Sequence, residues 1–379
     1  MVLKTKLVLL IVVVCTGLPC NKSFAQNKAK NGLNVFLHPD KFYRKFFPHL
    51  KISRNPPDSM YIRSYQHRLS IGAHVLSPVI LVDINSRKSA TNGIDPSLKL
   101  RTNLSDVIGF SASYRFVAVG FAYLLKTRWN TRDDYAASRY RTATIKYNSG
   151  ANAFQFKYVR IKGFTDVNRF NRTNALTPYM PRPDIVSKEF QFENIYNFSW
   201  KKYSYLAPLT FTQRQIKSHA GFLIKAGVYY HQLSSDTTII SQRQQEYYDD
   251  FSDVKVIRSL SLRVAPGIGG NLVFYKQIYL SMAVFTSFDF YNYKYLQTVD
   301  EKVRGRQTAV FFLDGKSSLG YQSRRMYAGV RYEAERRVGS LSSIQTKILY
   351  RYLGIEMGYR FTAPKAIKKF YKKTMPPGM

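Results

Sequence analysis

From about residue 66 to Phe361 the chain alternates apolar and polar positions with a period of two. In 280–290, Leu280, Met282, Val284, Phe288 and Phe290 interleave with Ser281, Ala283, Ser287 and Asp289. In 221–231, Phe222, Ile224, Ala226, Val228 and Tyr230 interleave with Gly221, Lys225, Gly227 and His231. In 117–125, Val117, Val119, Phe121, Tyr123 and Leu125 interleave with Ala118, Gly120, Ala122 and Leu124. Few stretches carry a helical period. The alternation predicts strands over 66–84, 97–114, 116–126, 139–148, 152–163, 189–200, 218–232, 255–275, 277–292, 321–336, 341–350 and 352–361. The last hairpin, at Tyr350 to Leu353, has no turn residues, and 201–217 fits either a strand extension or a periplasmic loop.

A soluble sandwich alternates as well, so three further features decide between the two. The strands run to about 9–12 residues or more, the length that crosses a bilayer at a tilt. Tight turns, as between Tyr114 and Val117 and at Tyr275 to Gln277, alternate with longer polar connections near 126–138, 163–188, 232–254 and 293–320. The apolar runs end in Tyr196, Trp200, Tyr229, Tyr230, Tyr291, Tyr293 and Tyr327, the residue types of membrane-interface girdles. Lipid offers no hydrogen-bond partners, so β-structure within it must close on itself. The prediction is an all-β fold: an antiparallel transmembrane β-barrel of about 12 strands (10–14), with long extracellular loops and short periplasmic turns.

The termini refine the organisation. Lys4, Lys6, the apolar run Leu7 to Val14 and the small residues around Ser23 and Ala25 read as a signal peptide over residues 1–25. Residues 26–60 read as a periplasmic segment with a short helix near 40–50, residues 61–361 as the outer-membrane barrel, and 362–379 as a basic tail. Both cysteines, Cys15 and Cys20, fall in the expected leader, so disulfides, thiol catalysis and Cys-based zinc sites are excluded from the mature chain. The final predicted strand ends Tyr359, Arg360, Phe361, which resembles the terminal signal read by the barrel assembly machinery, although 18 residues follow it. The net charge of +35 points first to nucleic acid; export argues against that partner. Removing Lys4, Lys6 and Lys22 leaves +32, for which outer-membrane lipid and lipopolysaccharide phosphates are the natural counter-charge.

Several segments carry a family resemblance: Asp58 to Ile62, Ile108 to Tyr114, Asn197 to Tyr205, Gln215 to Gly221, Pro266 to Asn271 and Gly358 to Pro364. Together they resemble the uncharacterised domain-of-unknown-function family 4421 of Bacteroidota, over about residues 55–365. The resemblance implies an exported, barrel-like protein and brings no catalytic residues with it.

The candidate chemistry lies on the polar strand face. Arg68, Lys225, His231, Arg263, Asp289, Arg325, Arg331, Glu333, Glu356 and Arg360 are predicted to line the lumen, where bases outnumber acids. One reading is a narrow pore or binding barrel for small anionic solutes or lipid. The other is a plug of paired charges, Arg331 with Glu333 or Arg360 with Glu356, since narrow barrels fill their interior with side chains. Glu246, Asp249, Asp250 and Asp253 match no calcium spacing and read as a solvated loop. His231, with Asp236 or Asp289, is the one candidate for a hydrolytic site, and no nucleophile motif accompanies it. The other histidines show no metal-ligand spacing, and no cofactor is expected. The preferred expectation is a non-enzymatic barrel. A lipid-modifying or hydrolytic enzyme, or a structural barrel anchoring periplasmic partners, remains the alternative.

Overall fold

The computed structural model describes residues 56–86, 95–104, 106–124, 134–168, 179–297, 303–341 and 344–374. The leader and residues 26–55, with their expected short helix, lie outside the described residues. The chain divides into two units, and the barrel belongs to the one spanning Ile52–Ala363. In the other, helix α2 covers Lys365–Thr374 and carries the five lysines of the tail. No helix of the described residues is long and apolar enough to cross a membrane.

β-branched and aromatic residues on alternate positions favour long pleated strands. The strands are β1 (Ile62–Ser64), β2 (Arg68–Ser86), β3 (Leu98–Arg101), β4 (Val107–Tyr114), β5 (Val117–Leu124), β6 (Arg139–Ser149), β7 (Asn152–Asp166), β8 (Met180–Asn197), β9 (Gln213–Gln215), β10 (His219–Ser234), β11 (Val254–Phe274), β12 (Ile278–Gln297), β13 (Val303–Gln322), β14 (Met326–Leu341) and β15 (Ile344–Thr362). β3 and β4 are two pieces of one strand, since both pair with β2, through Ile84 opposite Leu98 and Leu76 opposite Val107. Every neighbour is antiparallel, and β15 returns to β2 from Ile344 opposite Ser86 to Thr362 opposite Arg68. The result is a closed barrel of twelve strands, with β1 and β9 as a separate small pair.

The expected number of strands is right, but several bounds are not: β8 starts at Met180, inside a connection expected over 163–188, and two further differences affect the count. Residues 303–322, expected within a long connection, form β13, whose Asp314-Gly315 and Ser317-Ser318 resemble turn chemistry. The spans 341–350 and 352–361 are one continuous strand, β15, and the turnless stretch Tyr350 to Leu353 lies in its interior. The two errors offset each other.

The barrel is inverted relative to a soluble protein. On β12, Phe288 and Phe290 are 44% and 58% exposed, while Asp289 between them is 1% exposed. Outward Leu272, Met282, Phe311, Leu319, Val330 and Ile355 continue an apolar belt around the wall. Only a surrounding hydrocarbon phase makes that arrangement favourable.

At the tight-turn end, residues 198–217 between β8 and β10 turn into the barrel, resolving the ambiguity left by the sequence. Helix α1 (Ala207–Thr210) ends at Phe211, which has φ +55°. That left-handed conformation is costly for a bulky residue. It is held by a stack on Tyr327 at 4.0 Å and by Arg360 Nε, which donates to the Phe211 carbonyl at 2.8 Å. Ser113, Asn271 and Gln322 donate to the carbonyls of Thr210, Ser204 and Ala207, so strands around the barrel grip the insert. β9 then pairs with β1 across this end.

At the long-loop end, the connection 235–253 folds over the mouth. Ile239, Ile240, Tyr248 and Phe251 are buried there with Ile84, Leu98, Ile257, Tyr293 and Tyr350. The Tyr248 hydroxyl accepts from the Leu98 amide at 2.9 Å and donates to the Ile84 carbonyl at 2.6 Å. Arg243 pairs with Asp166 at 3.1 Å. Asp95 receives Lys99 Nζ at 2.7 Å. Burial pushes the Asp95 carboxyl up, but the hydrogen bonds from Lys99 and Ser97 outweigh it and hold it below the usual carboxylate value.

Candidate functional site

Between the insert and the apolar mouth lies a layer of inward-facing charge, built by strand register. Its bases are Lys146, Lys157, Lys225, Arg263, Lys316, Arg331 and Arg337, and its acids are Glu189, Glu193, Asp289, Asp314, Glu333, Glu335 and Glu356. Among the described residues, this layer balances seven against seven. The base excess expected from the sequence is therefore not a property of this layer.

On the β10–β13 side the pairing is tight. Arg263 stands opposite Asp289 in the β11–β12 register. Its Nε and Nη2 donate to the two Asp289 oxygens at 2.6 and 2.8 Å, and its Nη1 donates to Glu335 at 2.6 Å. Tyr229 and Phe312 flank the guanidinium at 4.1 and 4.7 Å from their ring centres. Lys225 Nζ lies 2.7 and 2.6 Å from the Asp314 oxygens, and Ser287 donates to the same carboxylate at 2.6 Å. Asp314 and Glu335 face each other directly, a repulsive register that the neighbouring Arg263 and Lys225 neutralise. Arg337 joins Glu189 at 2.5 Å to Glu335 at 2.9 Å. Pairs of this bidentate, desolvated kind fix geometry strongly, and removing one member leaves a charge stranded.

Towards β5–β7 the layer is looser. Arg331 lies 3.7 Å from Glu333 and 3.5 Å from Glu356, and Lys316 lies 3.8 Å from Glu333. Lys157 lies over the Tyr352 ring at 4.8 Å. The inner face of β5 is Ala118, Gly120 and Ala122, which leaves a cavity of about 130 Å³.

The sequence candidates sort by position. Lys225, Arg263, Asp289, Arg331, Glu333 and Glu356 belong to the charge layer. Arg68 lies at the tight-turn rim, where it donates to the Arg324 carbonyl at 3.4 Å. Arg325 does not reach the lumen: it is exposed in the turn before β14, because the tight turn ends the alternation one residue earlier. Arg360 does face inward, but four residues further along β15 than Glu356, and it braces the insert through Phe211, Ser323 and Gln322. His231 Nε2 lies 2.9 Å from Ser187 Oγ. Glu189, on the same strand as Ser187, directs its carboxylate to Arg337 and Gln191, and Asp289 is committed to Arg263. The adjacent cavity measures about 40 Å³. The sequence reading missed Asp314 and Lys316 because β13 was taken as a loop. Arg337 and Glu335 lay beyond its apparent strand limits or went unremarked within them. Extending the alternation through Phe312, Asp314, Lys316 and Ser318 would have found the first two.

Comparison with solved structures returns bacterial outer-membrane barrels at low similarity. The outer membrane protease OmpT of Escherichia coli is 10% identical, with 79% of this chain and 98% of that chain covered and a TM-score of 0.36. The translocator domain of the autotransporter NalP of Neisseria meningitidis is 12% identical, with 89% and 98% covered and a TM-score of 0.37. An outer membrane channel of Pseudomonas putida is 10% identical, with 81% and 100% covered and a TM-score of 0.30. Values this low say nothing of activity. No curated protein sequence matches. The family model described as a domain of unknown function (DUF4421) matches residues 56–361, nearly the whole barrel unit, and the chain belongs to that family.

Proposed function

We propose that this protein is a non-enzymatic outer-membrane barrel with a closed interior, one that holds a small solute rather than conducting it. The observation that carries the reading is the layer of paired charge centred on Arg263, Asp289, Asp314 and Glu335, stacked between an inserted segment and an apolar mouth. A water-filled pore keeps its polar lining solvated. Here Arg263 and Asp289 are 1% exposed and are satisfied by one another. The predicted leader, the outward apolar belt and the ending of β15 near Phe361 support delivery to the outer membrane by the barrel assembly machinery. The chain's positive charge supports contact with anionic lipid and lipopolysaccharide. The Ser187–His231 pair supports no hydrolytic reading, since the nearby acids are engaged elsewhere and the adjoining space is small.

Planar-bilayer recording of the purified full chain tests the proposal. The expected result is a baseline trace, without steps, across the voltage range that opens general porins. A steady ohmic conductance that scales with inserted protein would overturn it.

A further inference from the structure

We infer that the cavity beside β5 is a binding site for one small oxyanion, of the phosphate or carboxylate class, held by Lys146, Lys157 and Arg331 with His74. This deepens the closed-barrel reading and rests on it for the claim that the solute is retained. Four observations converge on it. The cavity of about 130 Å³ has room for a handful of water-sized groups, about the five heavy atoms of a tetrahedral anion. It exists because β5 presents Ala118, Gly120 and Ala122 inward. A Cβ built on Gly120 finds nothing nearer than the Phe110 carbonyl at 3.6 Å, whereas one on Gly269 across the barrel runs into the Tyr203 hydroxyl.

Charge is the second observation. The cavity lining holds Lys146, Lys157 and Arg331 against Glu333 and Glu356, one positive charge in excess. Among the described residues, no carboxylate lies within ion-pairing distance of Lys146 or Lys157. The third is Arg331, whose contacts with Glu333 and Glu356 stretch to 3.7 and 3.5 Å, leaving its donors available for a planar or tetrahedral oxyanion. The fourth is His74, which lines the same space and has a buried Nδ1 without a hydrogen-bond partner. Thr142, Thr144 and Ser111 add hydroxyls to the lining. A buried ammonium with no counter-charge is costly, and a bound anion removes that cost. The sequence choice also fits: on the other side of the lumen comparable bases are each given an acid on the protein itself.

The experiment is calorimetric titration of the full chain in detergent with inorganic phosphate, with chloride as the competing background. Saturable binding near one equivalent is expected. It should weaken at least about tenfold in the K146M/K157M double variant. It should also be lost in Gly120→Leu, which fills the cavity and leaves every cation in place, so that a folding defect of the double variant cannot imitate the result. Retention of the heat-modifiable gel shift identifies folded protein. Absence of saturable binding to about 10 mM phosphate, or unchanged binding in both variants, would overturn the site. The bilayer recording separates the two proposals. Conductance with phosphate binding removes the closed barrel and keeps the site, and silence without binding does the reverse.

Discussion

The two sides of one lumen solve the problem of burying charge differently. Around Arg263 three bases, Lys225, Arg263 and Arg337, meet four acids, Glu189, Asp289, Asp314 and Glu335, at short range, and Glu193 accepts from the Tyr229 hydroxyl. Around the cavity three bases, Lys146, Lys157 and Arg331, face two acids, Glu333 and Glu356, at 3.5 Å or more. Among the described residues the layer is neutral in total and uneven in how its charges are paired. The first side behaves like a keystone, where every group depends on its partner. The second is a socket whose charges are arranged for something not covalently part of the chain.

Removing one charge from each side is the sharpest way to break this contrast. Arg263→Met strands Asp289, leaves Glu335 with Arg337 alone, and is expected to destabilise by about 3–5 kcal/mol. Lys146→Met deletes a base with no acid of its own and is expected to change stability by less than about 1 kcal/mol, or to stabilise. Urea midpoints in the same detergent measure both, and equal losses would erase the distinction. A smaller effect compares packing. Gly269→Ala pushes into Tyr203 and is expected to cost about 1–3 kcal/mol. Gly120→Ala enters open space and is expected to be neutral or to gain about 0.4–1 kcal/mol.

The smallest expected effect lies outside both sides, at the mouth. The Asp95 carboxyl is held below its ordinary value, so its contribution is complete above the unfolded carboxylate range. It is lost as pH falls through the lowered value. The amide protection of residues 97–99, corrected for the intrinsic pH dependence of exchange, should therefore fall on acidification, and Asp95→Asn should flatten that dependence while leaving the charge layer unaffected.

What the sequence made legible follows from period two. Where one face is lipid and the other lumen, as at Phe288, Asp289 and Phe290, alternation announces both orientation and environment. It failed where turn-like residues sit inside a strand. Asp314 and Gly315 read as a loop, yet Asp314 is the partner of Lys225, so missing β13 also hid the other half of an ion pair. It failed again at 198–217, where the fate of the segment depends on Tyr203 meeting Gly269 and Phe211 meeting Tyr327, contacts between residues far apart in sequence. The charge balance was misread for the same reason. Glu189, Asp314 and Glu335 acquire their meaning from neighbours supplied by other strands.

The pairing of β1 with β9 has a consequence for the order in which the molecule can be made. Ile62 meets Gln215, so the first strand of the described chain is completed only after eight later strands have been synthesised. The insert that carries β9 is gripped by strands as distant as β4 and β15, through Ser113 and Arg360. Contacts of such sequence separation form slowly, because the chain between them must be ordered first. Strand-by-strand growth from either terminus therefore cannot finish the interior. The seam where β15 meets β2 joins the two ends of the sheet around that insert.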